Sequence, residues 1–208
     1  MERYEDKIDK ALLYLKSPSK LSPTGYSSIV YMVYLPEDTF VVRSMIDSFL
    51  KPKAEYNGFQ VHEISMGEVI GRFINTSNYL SLWTNPRVKE AQLYQSIRQA
   101  IEKSRFIETA ILDKQAQLLQ EKTNPLLVIK DVEMLHPFYM IGTVENNIYN
   151  QIQIPMLVLT LARRRARLAP SWAFTTKTAI IVPSTFKDYL LCTRYKNYST
   201  LPNSSIAR

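Results

Sequence analysis

Two acidic residues that follow a short apolar run are the first candidates for chemistry. Asp131 and Glu133 come shortly after Leu126–Ile129, in which every residue is branched and apolar. Four apolar residues and then an acid are typical of a buried strand whose carboxylate holds Mg²⁺ beside a nucleotide. Residues two apart in an extended strand point to the same side, so both carboxylates would face a ligand at the strand's carboxyl end. The simpler interpretation is that the two acids are solvated or cap the next helix.

A nucleotide site of this kind also needs a phosphate-binding loop. The chain has five glycines, and no glycine-rich stretch leads into Lys-Ser or Lys-Thr. The segment Gly25–Ser28 precedes the apolar run that begins at Ile29, so it cannot be a loop that follows that strand. The sequence therefore predicts no bound nucleotide and no other cofactor.

Other groups that could do chemistry are few. His136, just before Pro137, could be a general base beside the carboxylates, or a helix-start residue with a structural hydrogen bond. Cys192 is the only cysteine, which excludes an intrachain disulfide and fits a reducing compartment. With two histidines in the chain, a histidine-rich metal centre is excluded as well. We predict no catalytic residue and no metal site.

The positive charge of the chain is confined to its last quarter. Residues 160–208 hold nine lysines and arginines and one acid, a balance of +8, whereas residues 1–159 have a balance of −1. Arg163, Arg164, Arg165 and Arg167 form a cluster that could bind phosphate backbones, with Trp172 nearby to stack on bases. The alternatives are a solvated basic loop or a surface that meets an acidic protein partner.

The elements that must position these residues are organised around residues 124–160. Leu126–Ile129 and Ile154–Leu159 read as buried strands, and the apolar residues between them recur at helical spacing from Phe138 to Ile152. Strand, helix and strand in under 40 residues predict a right-handed βαβ unit with parallel strands.

Upstream of this unit the sequence predicts further strands and helices of the same sheet. Ile29–Leu35 is apolar and β-branched throughout and reads as a central strand buried on both faces. Asp38 is a predicted N-cap of a helix to about Leu50 that faces the sheet through apolar residues. The remaining predictions are a helix Glu5–Leu15, the sheet-facing residues Phe40, Val41, Met45, Ile46 and Phe49, a strand Gln60–Ile64, a helix Gly67–Ile74 capped by Ser65, a loop Asn75–Asn85, and either one helix from Pro86 to Glu121 or two helices broken near Ser104–Phe106.

The predicted fold class is α/β, with a mostly parallel central sheet, helices on both faces and a P-loop-like architecture without the phosphate-binding loop. We divide the chain into an α/β core domain, 1–160, and a basic, partly irregular C-terminal extension, 161–208, in which Thr178–Val182 could form a strand. The start of the chain has no apolar signal core, and the apolar runs are too short for a membrane helix. We expect a cytoplasmic protein with no membrane contact.

Five segments of the chain carry a resemblance to a known family, namely Ile29–Asp38, Val41–Arg43, Leu127–Glu133, His136–Phe138 and Ile154–Val158. Together they resemble the BrxB family of BREX bacteriophage-exclusion systems. The resemblance covers about Ser27–Thr160 and implies a small α/β protein that resembles P-loop domains without an obvious phosphate loop. It also implies partners, namely a PglZ-type alkaline-phosphatase-like protein, a large ATPase and a DNA methyltransferase. The chain departs from the family at Leu161–Arg163, where a Pro-Gly turn is expected, and the family supplies no catalytic residues.

The sequence thus leads to the expectation of a non-enzymatic scaffold or adaptor in a phage-defence complex, in contact with a PglZ-like protein or an ATPase. One alternative is a nucleic-acid-binding accessory protein that uses the basic C-terminal region. Another is a divergent nucleotide-binding domain that uses Asp131 and Glu133. The candidate interaction residues are Asp131, Glu133, His136, Arg163, Arg164, Arg165, Arg167 and Trp172.

Overall fold

The structure, a computed structural model, describes residues 3–17, 28–121 and 123–162. The four arginines of the basic cluster, Trp172 and the predicted strand Thr178–Val182 lie outside these ranges. The described part contains one sheet of four parallel strands in the order β1-β4-β3-β2, which confirms the α/β fold class. The strands are β1 (Ile29–Tyr34), β2 (Gln60–Ser65), β3 (Pro125–Lys130) and β4 (Met156–Leu161).

Helices cover both faces of the sheet, as predicted. Helices α1 to α3 pack on one face, which we call the first face, and α4 to α8 pack on the opposite, second face. No helix among the described residues is long and apolar enough to cross a membrane. The helices are α1 (Tyr4–Lys16), α2 (Thr39–Met45), α3 (Lys51–Tyr56), α4 (Met66–Thr76), α5 (Leu80–Trp83), α6 (Glu90–Ser104), α7 (Phe106–Gln120) and α8 (Ile141–Ile148).

The central strands bury alternate residues against opposite faces. Leu127 and Ile129 of β3 belong to the core of the second face, whereas Leu126 and Val128 belong to the core of the first face. All four side chains are at most 2% exposed. A strand covered on both sides has no polar face, which is why the predicted runs of apolar residues were correct indicators of β3 and β4.

The predicted βαβ unit is confirmed, but its helix is shorter than the periodicity indicated. Strands β3 and β4 are parallel neighbours, with Leu127 beside Met156. Between them the chain forms a 3-10 turn (Val132–Leu135), the cis peptide His136–Pro137, α8 and a second 3-10 turn (Tyr149–Gln151). Phe138 and Ile152 still pack against the core from outside the helix. The spacing of apolar residues indicates which side of a segment is buried. A 3-10 turn has three residues per turn and therefore gives nearly the same apolar spacing as an α-helix, although its hydrogen bonds differ.

The prediction that the Ile29–Leu35 run is a central strand was wrong within the described sheet. Strand β1 lies at its end and pairs only with β4 among the described strands. Val33 is 37% exposed, although Tyr34 beside it is buried. An apolar run indicates how much of a strand is buried but does not determine the order of strands in a sheet.

The helix after β1 continues farther than predicted, and only part of its predicted sheet-facing side is buried. It runs from α2 through a π-helical turn (Ile46–Leu50) into α3, past Pro52. The π turn already shifts the regular backbone pairing, so the N–H that proline lacks costs little there. The predicted sheet-facing residues Phe40 and Val41 are 81% and 52% exposed. The predicted Met45 and Ile46 are buried, and Val42 and Leu50, three and four residues from them, complete the face.

Two helices, α6 and α7, replace the single long helix that was one of the two predicted alternatives. Arg105 separates them in a left-handed conformation with φ of 50°. The predicted break near Ser104–Phe106 is therefore confirmed. The predicted cap of α4 is also confirmed, because the Ser65 hydroxyl accepts the Glu68 N–H.

Candidate functional site

The carboxyl ends of all four strands lie at one edge of the sheet, which we call the carboxyl edge. In parallel α/β proteins this edge is where ligands bind. Asp131 follows β3, Ser65 ends β2, and Arg43 lies on α2 after β1. Ala162 follows β4, and its N–H donates to the Tyr34 carbonyl at 2.6 Å. The chain therefore continues towards the basic cluster from this same edge.

Asp131 turns the chain out of the strand. Its φ of 58° lies in the left-handed region, which aspartate tolerates better than most residues. The sequence argument placed Asp131 and Glu133 on one extended strand, and that part was wrong, because Val132–Leu135 is a 3-10 turn. Asp131 stands at the start of this turn but makes no side-chain cap to it.

The two carboxylates nevertheless converge on one arginine. Arg43 Nη2 donates to Asp131 Oδ1 and lies 3.5 Å from Glu133 Oε1. The Asp131 and Glu133 side chains are 15% and 16% exposed, whereas Arg43 is 43% exposed. A second donor, the Ser65 hydroxyl, binds Asp131 Oδ2 at 2.6 Å. Both Asp131 oxygens are therefore engaged, by a guanidinium on one side and a hydroxyl on the other.

A buried tyrosine lies beneath this charged cluster. Tyr34, the last residue of β1, is 3% exposed. Burial raises the pKa of its hydroxyl, and the charges of Glu133 and Asp131 raise it further, whereas Arg43 opposes them. Tyr34 is accordingly neutral and cannot serve as a proton acceptor near neutral pH. The Glu133 Oε2 atom is buried without a partner among the described residues.

His136 follows the 3-10 turn that contains Glu133. Its backbone N–H donates to the Glu133 carbonyl at 3.2 Å and closes the 3-10 turn. It therefore lies at the end of that turn and not at the start of α8, where the sequence placed a helix-start residue. The sequence predicted a structural hydrogen bond for His136 at the start of a helix, and the structure has one at the end of the 3-10 turn.

A second charged network lies beside the first and was missed by sequence reasoning. Glu63 Oε2 accepts from Lys130 Nζ at 2.6 Å, and Glu63 Oε1 lies 2.8 Å from Lys51 Nζ. Burial pushes the pKa of Glu63 upward, but hydrogen bonds and charge from both lysines outweigh it and hold that pKa below its usual value. Lys51 also binds Asp47 at 2.5 Å. The network ties the π turn and α3 to the ends of β2 and β3.

The most buried carboxylate of the described chain lies between α7 and α8. Glu108 is 2% exposed, and its Oε1 accepts from the Tyr139 hydroxyl at 2.9 Å and from Asn147 Nδ2 at 2.7 Å. Burial raises the pKa of Tyr139 to about 12, with Glu108 as the next cause. The neutral Tyr139 hydroxyl and the Asn147 amide both donate to Glu108, so these three side chains link α7 to α8.

Exposed apolar side chains lie along the two segments that carry Arg43, Asp131 and Glu133. They lie in segments that follow β1 and β3, at the first turn of α2 and on both sides of the cis peptide. Large exposed apolar side chains that gather at one edge are typical of interaction surfaces. Their exposed fractions are 81% for Phe40, 52% for Val41, 41% for Met134 and 41% for Met140.

Two cavities among the described residues are small. Their volumes are about 10 Å³, under α8, and about 170 Å³, beside Ser28 and Tyr149. Small-molecule sites usually occupy about 300–1,000 Å³. Within the described ranges no group of three or more His, Cys, Asp or Glu side chains is arranged to hold a metal ion.

Fold and site together define a parallel α/β protein whose carboxyl edge carries an arginine-bridged carboxylate pair. No protein-family model, curated protein or solved structure matches the chain.

Proposed function

We propose that this chain is a non-enzymatic scaffold or adaptor of a BREX-type bacteriophage-defence complex, which contacts a PglZ-like protein or a large ATPase. The observation that carries the proposal is the bridge from Arg43 to Asp131 and Glu133, which occupies the part of the sheet where α/β enzymes hold their ligands. The resemblance of residues 27–160 to the BrxB family supports the choice of complex.

The ion pairs favour a closed edge over an open ligand site. A carboxylate that holds Mg²⁺ must direct its oxygens towards the metal and its waters. Asp131 instead directs one oxygen to Arg43 and the other to Ser65. Freeing Asp131 for a metal would break both of these contacts.

The exposed residues around this cluster favour a protein partner. Aromatic residues, methionine and arginine are enriched at the cores of protein interfaces, where charged acids are depleted. Phe40 and Val41 provide the apolar part, and the exposed side of Arg43 lies one turn farther along α2. The two acids of the same cluster share Arg43, so burying them under a partner costs less than burying carboxylates that have no cation beside them.

Phe40→Ser is expected to weaken capture of the PglZ-like or ATPase partner by about 30-fold, the effect of an interface residue worth roughly 2 kcal/mol. The measurement is co-purification of the tagged full chain with the products of its own operon, followed by titration of the captured partner. Phe40 is 81% exposed, so the substitution removes surface and leaves the core intact.

The matched control is Tyr56→Ser. Tyr56 is 85% exposed and ends α3, at the opposite end of the same helical segment from Phe40. The Tyr56→Ser variant should capture the partner as the native chain does, and both variants should keep the melting temperature of the native chain. Equal capture by Phe40→Ser and the native chain would contradict docking at the carboxyl edge.

ATP chemistry is expected to be absent. The purified chain should show no Mg²⁺-dependent ATP hydrolysis and no rise in melting temperature with nucleotide, because Asp131 is engaged by Arg43 and Ser65. The test is a phosphate-release assay beside a thermal-shift assay. ATP hydrolysis above background that disappears in Asp131→Ala would contradict the adaptor proposal and favour a divergent nucleotide-binding domain.

A nucleic-acid-binding accessory role is the second candidate, and the charge distribution favours it. Residues 160–208 have a balance of +8, and the described chain leads into them from the carboxyl edge. A basic segment that binds phosphate would act on any duplex regardless of sequence.

A further inference from the structure

Residues 69–89, which run from within α4 through α5 to the start of α6, contain no acidic residue, and we call them the basic corner. Arg72, Arg87 and Lys89 give this stretch a balance of +3, so the rest of residues 1–159, which total −1, has a balance of −4. All three cations are exposed, and within the described ranges none of them forms a salt bridge. The basic corner therefore presents positive charge that acids of the described chain do not neutralise.

One aromatic ring of the basic corner is exposed and is supported from the core by two others. Tyr79 is 53% exposed, and its ring centroid lies 5.8 Å from that of Trp83. The Trp83 ring lies 6.0 Å from the ring of Phe73 on α4, and its Nε1 donates to Ser96 Oγ on α6 at 3.0 Å. The three rings form a row from the core of the second face to the surface.

The backbone holds Tyr79 in place. Its N–H donates to Ser77 Oγ at 3.1 Å, and its carbonyl accepts the N–H groups of Leu82 and Trp83 at 3.0 Å and 2.9 Å. A ring on an anchored backbone loses little conformational freedom when a ligand covers it, so less of the contact energy is lost on binding.

Cations lie on both sides of the aromatic row. Arg72 directly precedes Phe73 on α4, and Arg87 follows Trp83 by four residues. Arg87 lies in a turn that is closed by the hydrogen bond from the Val88 N–H to the Asn85 carbonyl at 3.1 Å. The exposed ring thus stands between positive charges that come from two different segments.

We propose that the basic corner binds single-stranded nucleic acid, with a base stacked on Tyr79 and the neighbouring phosphates beside Arg72, Arg87 and Lys89. Proteins that bind single strands combine cations along the phosphate backbone with aromatic rings on which the bases stack. An acidic peptide would match the charge but would offer no planar group to the exposed ring. This surface is separate from the arginine cluster of the C-terminal extension, and the proposal does not depend on the adaptor function.

Fluorescence anisotropy of the full chain with a labelled oligothymidine of about twelve nucleotides tests the stacking. Tyr79→Ser is expected to weaken single-strand binding about tenfold, the effect of one lost stack between a base and an aromatic ring. Tyr79→Phe keeps the ring and should bind as the native chain does. A duplex of the same length keeps its bases stacked on one another, so Tyr79→Ser should leave duplex affinity unchanged.

A salt titration of the same complex tests the cations. If Arg72, Arg87 and Lys89 each contact one phosphate, replacing all three by glutamine should flatten the log–log salt slope of single-strand binding by about 2. The control is glutamine at the three lysines of α1, on the first face of the sheet, which removes the same charge and should leave the slope unchanged.

The matched control for the ring is Tyr149→Ser, which should keep single-strand affinity. Tyr149 is 50% exposed, but the sequence has no lysine or arginine between Lys130 and Arg163. A native chain that does not bind the oligothymidine would overturn the proposal, and so would a salt slope that the three glutamines leave unchanged. An equal loss of duplex and single-strand affinity in Tyr79→Ser would also overturn it. Binding of polyglutamate that Tyr79→Ser weakens to the same extent would assign the basic corner to an acidic protein instead.

Discussion

Leu157→Ala is expected to lower the free energy of unfolding by about 2–5 kcal/mol, as truncation of a fully buried leucine does. Leu157 is 0% exposed and lies in β4 between Val30 of β1 and Val128 of β3. Helices α1 to α3 cover its side of the sheet, so the removed carbons leave a cavity that the neighbouring backbones cannot close. Urea unfolding at unchanged m-value measures the loss.

Leu119→Ala is the control for that measurement. Leu119 lies on α7 and is 47% exposed, so the same truncation there should change the free energy of unfolding by less than about 0.5 kcal/mol. A change below about 0.5 kcal/mol for Leu157→Ala would contradict the central position of β4.

Replacing Arg163, Arg164, Arg165 and Arg167 by alanine is expected to abolish capture of the protein partner. Duplex DNA binding is expected to be weak already in the native chain. These residues carry half of the +8 balance of residues 160–208. If all four contacted phosphates, duplex affinity would fall with salt at a log–log slope of roughly −3 to −4, and the alanine variant would flatten that slope. Pull-down and salt titration on the same variant separate the two candidate functions.

Lysine at the same four positions is the control, because it keeps the charge and loses the planar guanidinium fork. A phosphate surface would keep most of its salt dependence with lysine, whereas bidentate pairs with acidic side chains of a partner would be lost. Tight, salt-steep duplex binding by the native chain, removed by the four alanines, would replace the adaptor proposal by the DNA-binding one.

The strands and their buried residues could be predicted because their chemistry is local. Leu127, Ile129, Leu157 and Val158 lie in unbroken apolar runs, and the structure buries all four to 2% exposure or less. A run without a polar face can be stable only with cover on both sides, so the runs also indicated helices on both faces. The order of the strands depends on contacts between distant segments, and no local pattern placed β1 beside β4.

Only half of the candidate site could be predicted from the sequence. Asp131 and Glu133 stood out by their position after β3, but their partner Arg43 lies 88 positions away and follows another strand. The available signal was that Arg43 and Asp131 both follow parallel strands, whose ends meet at one edge. The exposure of Phe40 was missed because Phe40 lies two residues before the buried Val42 and therefore on the other side of α2. The π turn that follows moves the last buried position to Leu50, and apolar spacing does not reveal such a turn.

The pairing of β1 with β4 has a consequence for the order in which the chain can be assembled during synthesis. Ile29 lies beside Met156, more than 120 positions later, so β1 leaves the ribosome about ten seconds before its partner at ordinary translation rates. Strands β2, β3 and β4 follow one another more closely and can assemble with shorter loops. During that interval β1 is an uncharged strand without its partner β4, and it can pair with other extended chains.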